Sequence, residues 1–187
     1  MTDATTTIDR IIRDRRTINN FQPEQPPVDT IIEAIDAARW APNHHQTEPW
    51  RFHLLGSETI ATIVDLNARL VAETKGPEAG EAKRQRWSEI PGWLGVTCPR
   101  SPDDPLREHE DYAACCCSIQ NLSLALWSRG IGMKWTTGAV TRHPKYFAAL
   151  GLDPDSTLSV GMLWYGYAQT VPEQRRRPVD EILSRLP

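Results

Sequence analysis

Apolar residues recur along the chain with two periods, and the changes of period mark the elements. Ile8, Ile11 and Ile12 fall on one face of a short helix that closes near Arg15-Arg16. The proline-rich run from Gln22 to Pro27 punctuates the chain. Val28, Ile31, Ile32, Ile35 and Ala38 then trace a second amphipathic helix, stopped by Pro42. Trp50, Phe52 and Leu54 alternate with Arg51 and His53, which predicts a half-buried strand. Ile60, Ile63, Val64, Asn67, Leu70 and Val71 return to the helical period. Residues 76–92 are polar and ambiguous, and a helix ending at Ile90-Pro91-Gly92 is the reading they allow. Leu94 to Cys98 predicts a short strand.

An acidic stretch from Ser101 to Asp111 leads into the longest predicted helix, with Tyr112, Cys115, Ile119, Leu122 and Leu126 on one face. Gly130 and Gly132 are read as its C-terminal cap. Pro144 and Gly151 bracket a short helix. Leu158, Val160, Met162 and Trp164 alternate as a buried strand, followed by a basic tail and a last helical turn from Val179 to Leu186. The order is helix, helix, strand, helix, strand, helix, strand, helix, strand, which predicts an α+β layered domain. No strand leads into a G-x-G-x-x-G turn, and the P-loop and G-x-S-x-G patterns are absent.

Composition narrows the function classes. The 187 residues suit one domain spanning 1–187. Acidic residues number 24 against 21 basic, for a net charge of −3. That balance lacks the basic excess on which phosphate-driven nucleic-acid binding depends. No apolar run approaches the ~20 residues of a membrane span, and the N-terminal stretch has no signal-peptide core. A cytoplasmic protein is expected. Its cysteines, Cys98 and the run Cys115, Cys116 and Cys117, form neither a spaced disulfide framework nor a C-x-x-C zinc pair. Tryptophan supplies 7 of the aromatic residues, an excess with no evident cause in the sequence.

Four stretches carry candidate chemistry. Arg15-Arg16-Thr17 joins two planar donor forks to a hydroxyl, a set suited to phosphate; cations at a helix end also simply complement its dipole. The loop from Ala41 to Trp50 packs Asn43, His44, His45, Gln46, Thr47 and Glu48 between two prolines, a density suited to reading a heteroaromatic edge. His44 and Glu48 could be metal ligands, but the sequence shows no third and fourth ligand at suitable spacing, so no metal is expected. Trp135-Thr136-Thr137-Gly138 lets a planar ring approach the backbone, and equally describes a core tryptophan beside a turn. Arg175, Arg176 and Arg177 offer further cations, or an exposed charge run.

In this order and spacing, Arg15-Arg16-Thr17, the loop ending Pro49-Trp50-Arg51-Phe52, Lys134-Trp135-Thr136-Thr137-Gly138 and Arg175-Arg176-Arg177-Pro178 resemble the nitroreductase superfamily of flavin enzymes, and most closely its small, short-loop members. The resemblance runs from about Ile8 to Leu186. It implies a three-layer α/β/α sandwich with a mixed, largely antiparallel sheet, in a homodimer with FMN at the subunit interface. It places Arg15, Arg16, Thr17 and Arg176 at the phosphate and ribityl end. His44 and Glu48 come from the other subunit. Trp135, Thr136 and Thr137 line the ring, with a backbone N–H near Thr137 facing flavin N5, and Asn19 matches a position at the pyrimidine edge. Glu48 stands where relatives often carry glutamine, and a carboxylate there needs a proton or a partner such as Arg51. Gln174 stands where some relatives carry lysine.

The implied activity is transfer of hydride from NAD(P)H through the flavin to a nitroaromatic, quinone or activated alkene, with no side-chain acid or base assigned. A flavin-storage or sensing protein would use the same site without turnover. A thiol redox or metal centre at Cys115–Cys117 is opposed by the ~100° between successive helical residues, which keeps the three from converging on one ion.

Overall fold

A computed structural model describes residues 2–187, with backbone only for residues 2–6. Met1, the first residue of the expected 1–187 domain, lies outside the described residues. The order is α1 (Thr2–Asp14), α2 (Val28–Ala38), β1 (Arg51–Leu54), α3 (Ser57–Lys75), α4 (Pro77–Ser88), β2 (Gly92–Pro99), α5 (Pro105–Trp127), β3 (Ile131–Thr136), α6 (Pro144–Ala149) and β4 (Thr157–Tyr167), with short 3₁₀ turns at His44–Gln46, Ala139–Arg142 and Val179–Glu181. Among the described residues, no helix is long and apolar enough to cross a membrane.

The four strands form one antiparallel sheet in the order β1-β2-β4-β3. An isolated parallel bridge, Thr17 to Met133, lies outside the pairings of the named strands. One face carries α2 and α5 over a core that includes Ile31, Ala38, Trp50, Leu94, Val96, Cys115, Ile119, Leu122 and Leu126. The other carries α3, α4 and α6 over Ile63, Trp87, Trp93, Tyr146, Phe147, Met162 and Trp164. This is the expected helix–sheet–helix layering, and the predicted apolar face of α5 is the one buried. In α2 the predicted face is only partly right: Ile31 and Ala38 are buried with Ala34, and Ile35 packs against them, but Val28 and Ile32 are exposed because they lie at the margin of the helix face that meets α5.

The differences have local causes. Leu158 and Val160 pack with the α5-side core, whereas Met162 and Trp164 pack on the opposite side. Val96 pairs with Gly161 and Thr97 with Ser159, so Val160 is an extra residue in β4. Such a bulge reverses the two-residue alternation beyond it. Residues 76–92 hold a full helix, α4, whose buried residues are only Gly80 and Trp87, so no apolar stripe marks it. Gly76, at φ 90, ends α3, and Pro77 opens α4.

Helix α5 begins at Pro105, inside the acidic stretch, because the Asp104 side chain caps it by accepting from the Arg107 N–H at 3.1 Å. Its C-cap is Ser128. Gly130 lies beyond it at φ 76, and Gly132 belongs to β3 rather than to the cap. The last predicted helical turn shrinks to Val179–Glu181.

Candidate functional site

Helix α1 releases the chain at Asp14, and the next residues run beside the edge strand β3. The Ile18 N–H donates to the Met133 carbonyl at 3.1 Å, and Phe21 bridges Ala168. Gly132 makes this approach possible, since the Ile18 side chain fills the space where a Cβ would stand. Thr17 thereby bridges Met133 in the middle of β3, and Arg15 and Thr17 share a cavity with Trp135.

Two cavities share Arg15. One, of about 340 Å³, is lined by Ile12, Arg13, Arg15, Arg16, Gln174 and Arg176. Arg13 pairs with Asp9 at 3.4 Å. Arg16 Nη1 donates only to the carbonyls of Arg13 and Arg15, at 2.5 and 3.0 Å. Arg15 Nε is buried with no hydrogen-bond partner among the described residues. Burial first, and then the charges of Arg176 and Arg16, lower the Arg15 pKa. A half-buried guanidinium repelled by two others, with no carboxylate beside it among the described residues, is a site that favours an added anion.

The second cavity, of about 190 Å³, is lined by Arg15, Thr17, Cys116, Gln120, Met133 and Trp135, with Ile119 and Ser123 behind. Trp135 is 37% exposed, and its Nε1–H donates to the Val160 carbonyl at 3.1 Å. The indole lies against Gly161, where any Cβ would strike it. Here an aromatic wall of one cavity adjoins the cationic end of the other. Thr136 is half-buried beside Trp135, and Thr137 is exposed just past the last ladder residue, its carbonyl accepting from Arg142 at 2.9 Å.

His44 and Glu48 are not part of this group. They sit on the loop before β1, which leans on α5 through a chain of polar contacts. Asn43 Nδ2 donates to Thr47 Oγ1 at 2.9 Å, and Thr47 donates to buried Asp111 at 2.5 Å. The Glu48 N–H donates to Asn43 Oδ1 at 2.7 Å. Arg51 donates to the carbonyl oxygens of Glu48 and Trp50, at 3.0 and 2.9 Å, so it does not supply the carboxylate partner that Glu48 lacks. Asn19 is exposed and accepts from Lys134 Nζ at 2.8 Å.

The profile of the nitroreductase family matches residues 12–167. The chain belongs to the nitroreductase family. YfhC of Bacillus subtilis, which carries a provisional NAD(P)H nitroreductase name, is 35% identical over 182 residues, covering 94% of this chain and 92% of YfhC. The crystal structure of a nitroreductase-like family protein from Bacillus cereus superposes with a TM-score of 0.84 at 30% identity, over 96% of this chain and 95% of that one. The FMN-dependent nitroreductase NfnB from Mycobacterium smegmatis, solved in complex with NADPH, gives a TM-score of 0.77 over 99% of this chain and 100% of that one; at 18% identity the likeness is one of fold.

In this nitroreductase-family chain, the structure gathers Arg15, Arg16, Thr17, Trp135 and Arg176 and leaves His44 and Glu48 apart. Sequence reasoning did not assign Cys116, Gln120 and Ser123 to the cavity. Their spacing of four and three places them on one face of α5, and that polar stripe beside the apolar one was the available signal. The three adjacent cysteines diverge as the helical period requires. Cys115 is buried against Cys98, and that hydrogen bond together with burial holds its thiol protonated; Cys116 is half-buried and Cys117 exposed.

Proposed function

We propose that this chain is an FMN-dependent oxidoreductase that passes hydride from NAD(P)H to a small acceptor such as a nitroaromatic, a quinone or an activated alkene. The observation that carries the reading is the unpartnered Arg15 Nε between a cationic cavity and an aromatic-walled one. That pairing fits a ligand with a phosphate at one end and a planar ring at the other. Family membership and the provisional name of YfhC support the same reading.

Arg15, Arg16 and Arg176 hold the phosphate by charge-assisted hydrogen bonds, and the Thr17 hydroxyl adds a further donor. Trp135, with Thr136 and Thr137 beyond it, forms the wall and rim for the ring. When bound, FMN supplies the hydride acceptance and release. The chain contributes position and charge: its cations favour an anionic ring, and backbone N–H groups near Thr137 are donors at the ring edge. No side chain is assigned as acid or base.

The second half of the proposal is a homodimer in which His44 and Glu48 serve the partner's flavin. Ile8 and Ile12 of α1 and Val179, Ile182, Leu183 and Leu186 of the tail are exposed apolar residues, as an uncovered interface requires. A cytoplasmic setting suits its four free cysteines. The test is the visible spectrum of the purified protein before and after anaerobic NAD(P)H. A flavin spectrum that bleaches, followed by steady turnover with a nitroaromatic, is expected. A protein that is colourless and takes up no FMN overturns the reading; a bleaching flavin without turnover points to storage or sensing.

A further inference from the structure

The loop before β1 holds a second cluster, away from the arginines. His44 and His45 are adjacent in sequence, and adjacent side chains ordinarily diverge. Here His45 has φ 58 and ψ 9, a left-handed conformation that folds its ring back, so that the two imidazoles lie 4.0 Å apart by centroid at 62°. Glu110 reaches the same place from α5. One ligand atom from each of the three residues lies within 4.8 Å of the others.

We propose that His44, His45 and Glu110 form a binding site for a borderline divalent transition-metal ion of the Zn²⁺ class. Two imidazole nitrogens and one carboxylate oxygen are a donor set that such ions accept, with a fourth position left for water. Bonds of about 2.0–2.1 Å set neighbouring donors about 3.3 Å apart in a tetrahedral site. Closing the cluster to that spacing falls to the side-chain torsions of two exposed histidines and a half-buried glutamate. None of the three side chains has a hydrogen bond or ion pair to any other described group. The neighbouring charges are otherwise engaged: Arg107 lies 3.9 Å from Asp111, and Asp104 caps α5.

Open cavities of about 410 and 430 Å³ flank the cluster and give an ion and its water access. The metal would clasp the loop to α5, adding to the Thr47–Asp111 bond. Spacing along the sequence could not show the third ligand, because Glu110 lies 65 residues from His45 and is brought in by the fold. Cys117 lines one of the two cavities, beyond the three-residue cluster, and is not assigned as a ligand.

The test is titration of the chelator-treated full chain with Zn²⁺ by calorimetry, and with Co²⁺ by visible absorption. One ion per chain is expected, and His45→Ala and Glu110→Gln should each weaken binding by about tenfold or more. His45 and Glu110 are outside the proposed flavin contacts, so FMN uptake should be unchanged in these variants; His44 is shared with the proposed flavin contact and is left unsubstituted, and the metal readout is taken on flavin-free protein, where it stands whether or not flavin binds. Cys117→Ser should leave the metal affinity intact. No binding by the wild-type chain, binding by both cluster variants as tight as the wild type's, or binding lost only in Cys117→Ser would overturn the site.

Discussion

The tryptophans behind the sheet and the arginines at the end of α1 are two groups of large side chains whose bonding differs. Trp87, Trp93 and Trp164 meet edge to face, with centroids 5.0–5.6 Å apart. The Trp93 Nε1–H donates to the Ile90 carbonyl at 3.1 Å, and Lys134 lies 5.2 Å over the Trp164 ring. The Trp164 indole N–H is buried with no acceptor among the described residues. The arginine group is the reverse, since Arg15, Arg16 and Arg176 have no carboxylate partner among the described residues, and the charges of Arg16 and Arg176 act against that of Arg15. One region is completed by the chain itself; the other is completed by what binds to it. That contrast predicts opposite responses to truncation.

The largest effect is expected at the tryptophans. Trp93 is 1% exposed, and Trp93→Ala removes a ring from a core that cannot fully close around the gap. A loss of about 3–5 kcal/mol in urea unfolding is expected. The fraction that remains folded should bind FMN as the wild type does. A Trp93→Ala protein that kept its stability but lost FMN would break the distinction between the two regions.

Arg15→Ala should do the opposite. Loss of a charge-assisted contact of about 1.5–3 kcal/mol weakens FMN binding roughly 10- to 100-fold. In flavin-free protein the same change relieves repulsion from Arg16 and Arg176, so unfolding should be unchanged or slightly harder. Arg176 is exposed on the tail, and Arg176→Ala should cost only a few-fold in FMN affinity, with a shallower dependence on salt than the wild type shows. Fluorescence titration of FMN at two ionic strengths measures both. Equal losses in Arg15→Ala and Arg176→Ala would show that burial does not rank these cations.

How much could be read from the sequence follows the same division. The α2 and α5 faces were legible because Ile31, Ala38, Cys115, Ile119 and Leu122 keep the 3.6-residue period of a helix with one buried side. Helix α4 was not, because it packs through Gly80 against Ala68 and Ala72 of α3 and through Trp87, two contacts that leave no stripe. The bulge at Val160 was hidden for another reason: both sides of the sheet are apolar, so Leu158 to Trp164 reads as an unbroken alternation although its direction reverses. Arg15, Arg16 and Thr17 could be proposed from local order. The union of Arg176 with Arg15 joins residues 161 positions apart, and only the fold brings them to one cavity. The tryptophan excess resolves in part, with Trp87, Trp93 and Trp164 in one core and Trp50 in the other.

The smallest effect concerns pH, and it tests which region limits stability under mild acid. His53 lies on β1 and points away from Phe52, toward the side of the sheet that holds the tryptophans. Its Nε2 is 2.8 Å from Thr97 Oγ1. Burial, and secondarily the charge of Arg51, lower its pKa from the ordinary 6.5. The unfolded chain therefore takes up this proton before the native one does. The stability associated with neutral His53 is whole above pH 6.5, declines as pH falls below it, and levels off once the native imidazole is also protonated. The guanidiniums stay charged throughout this range and contribute no slope. Urea unfolding of the flavin-free chain between pH 5 and 8 should show this decline, and His53→Gln, which keeps a donor and an acceptor for Thr97, should flatten it. If the two proteins lose stability in parallel, the acid sensitivity lies elsewhere and His53 is a spectator of the core it adjoins.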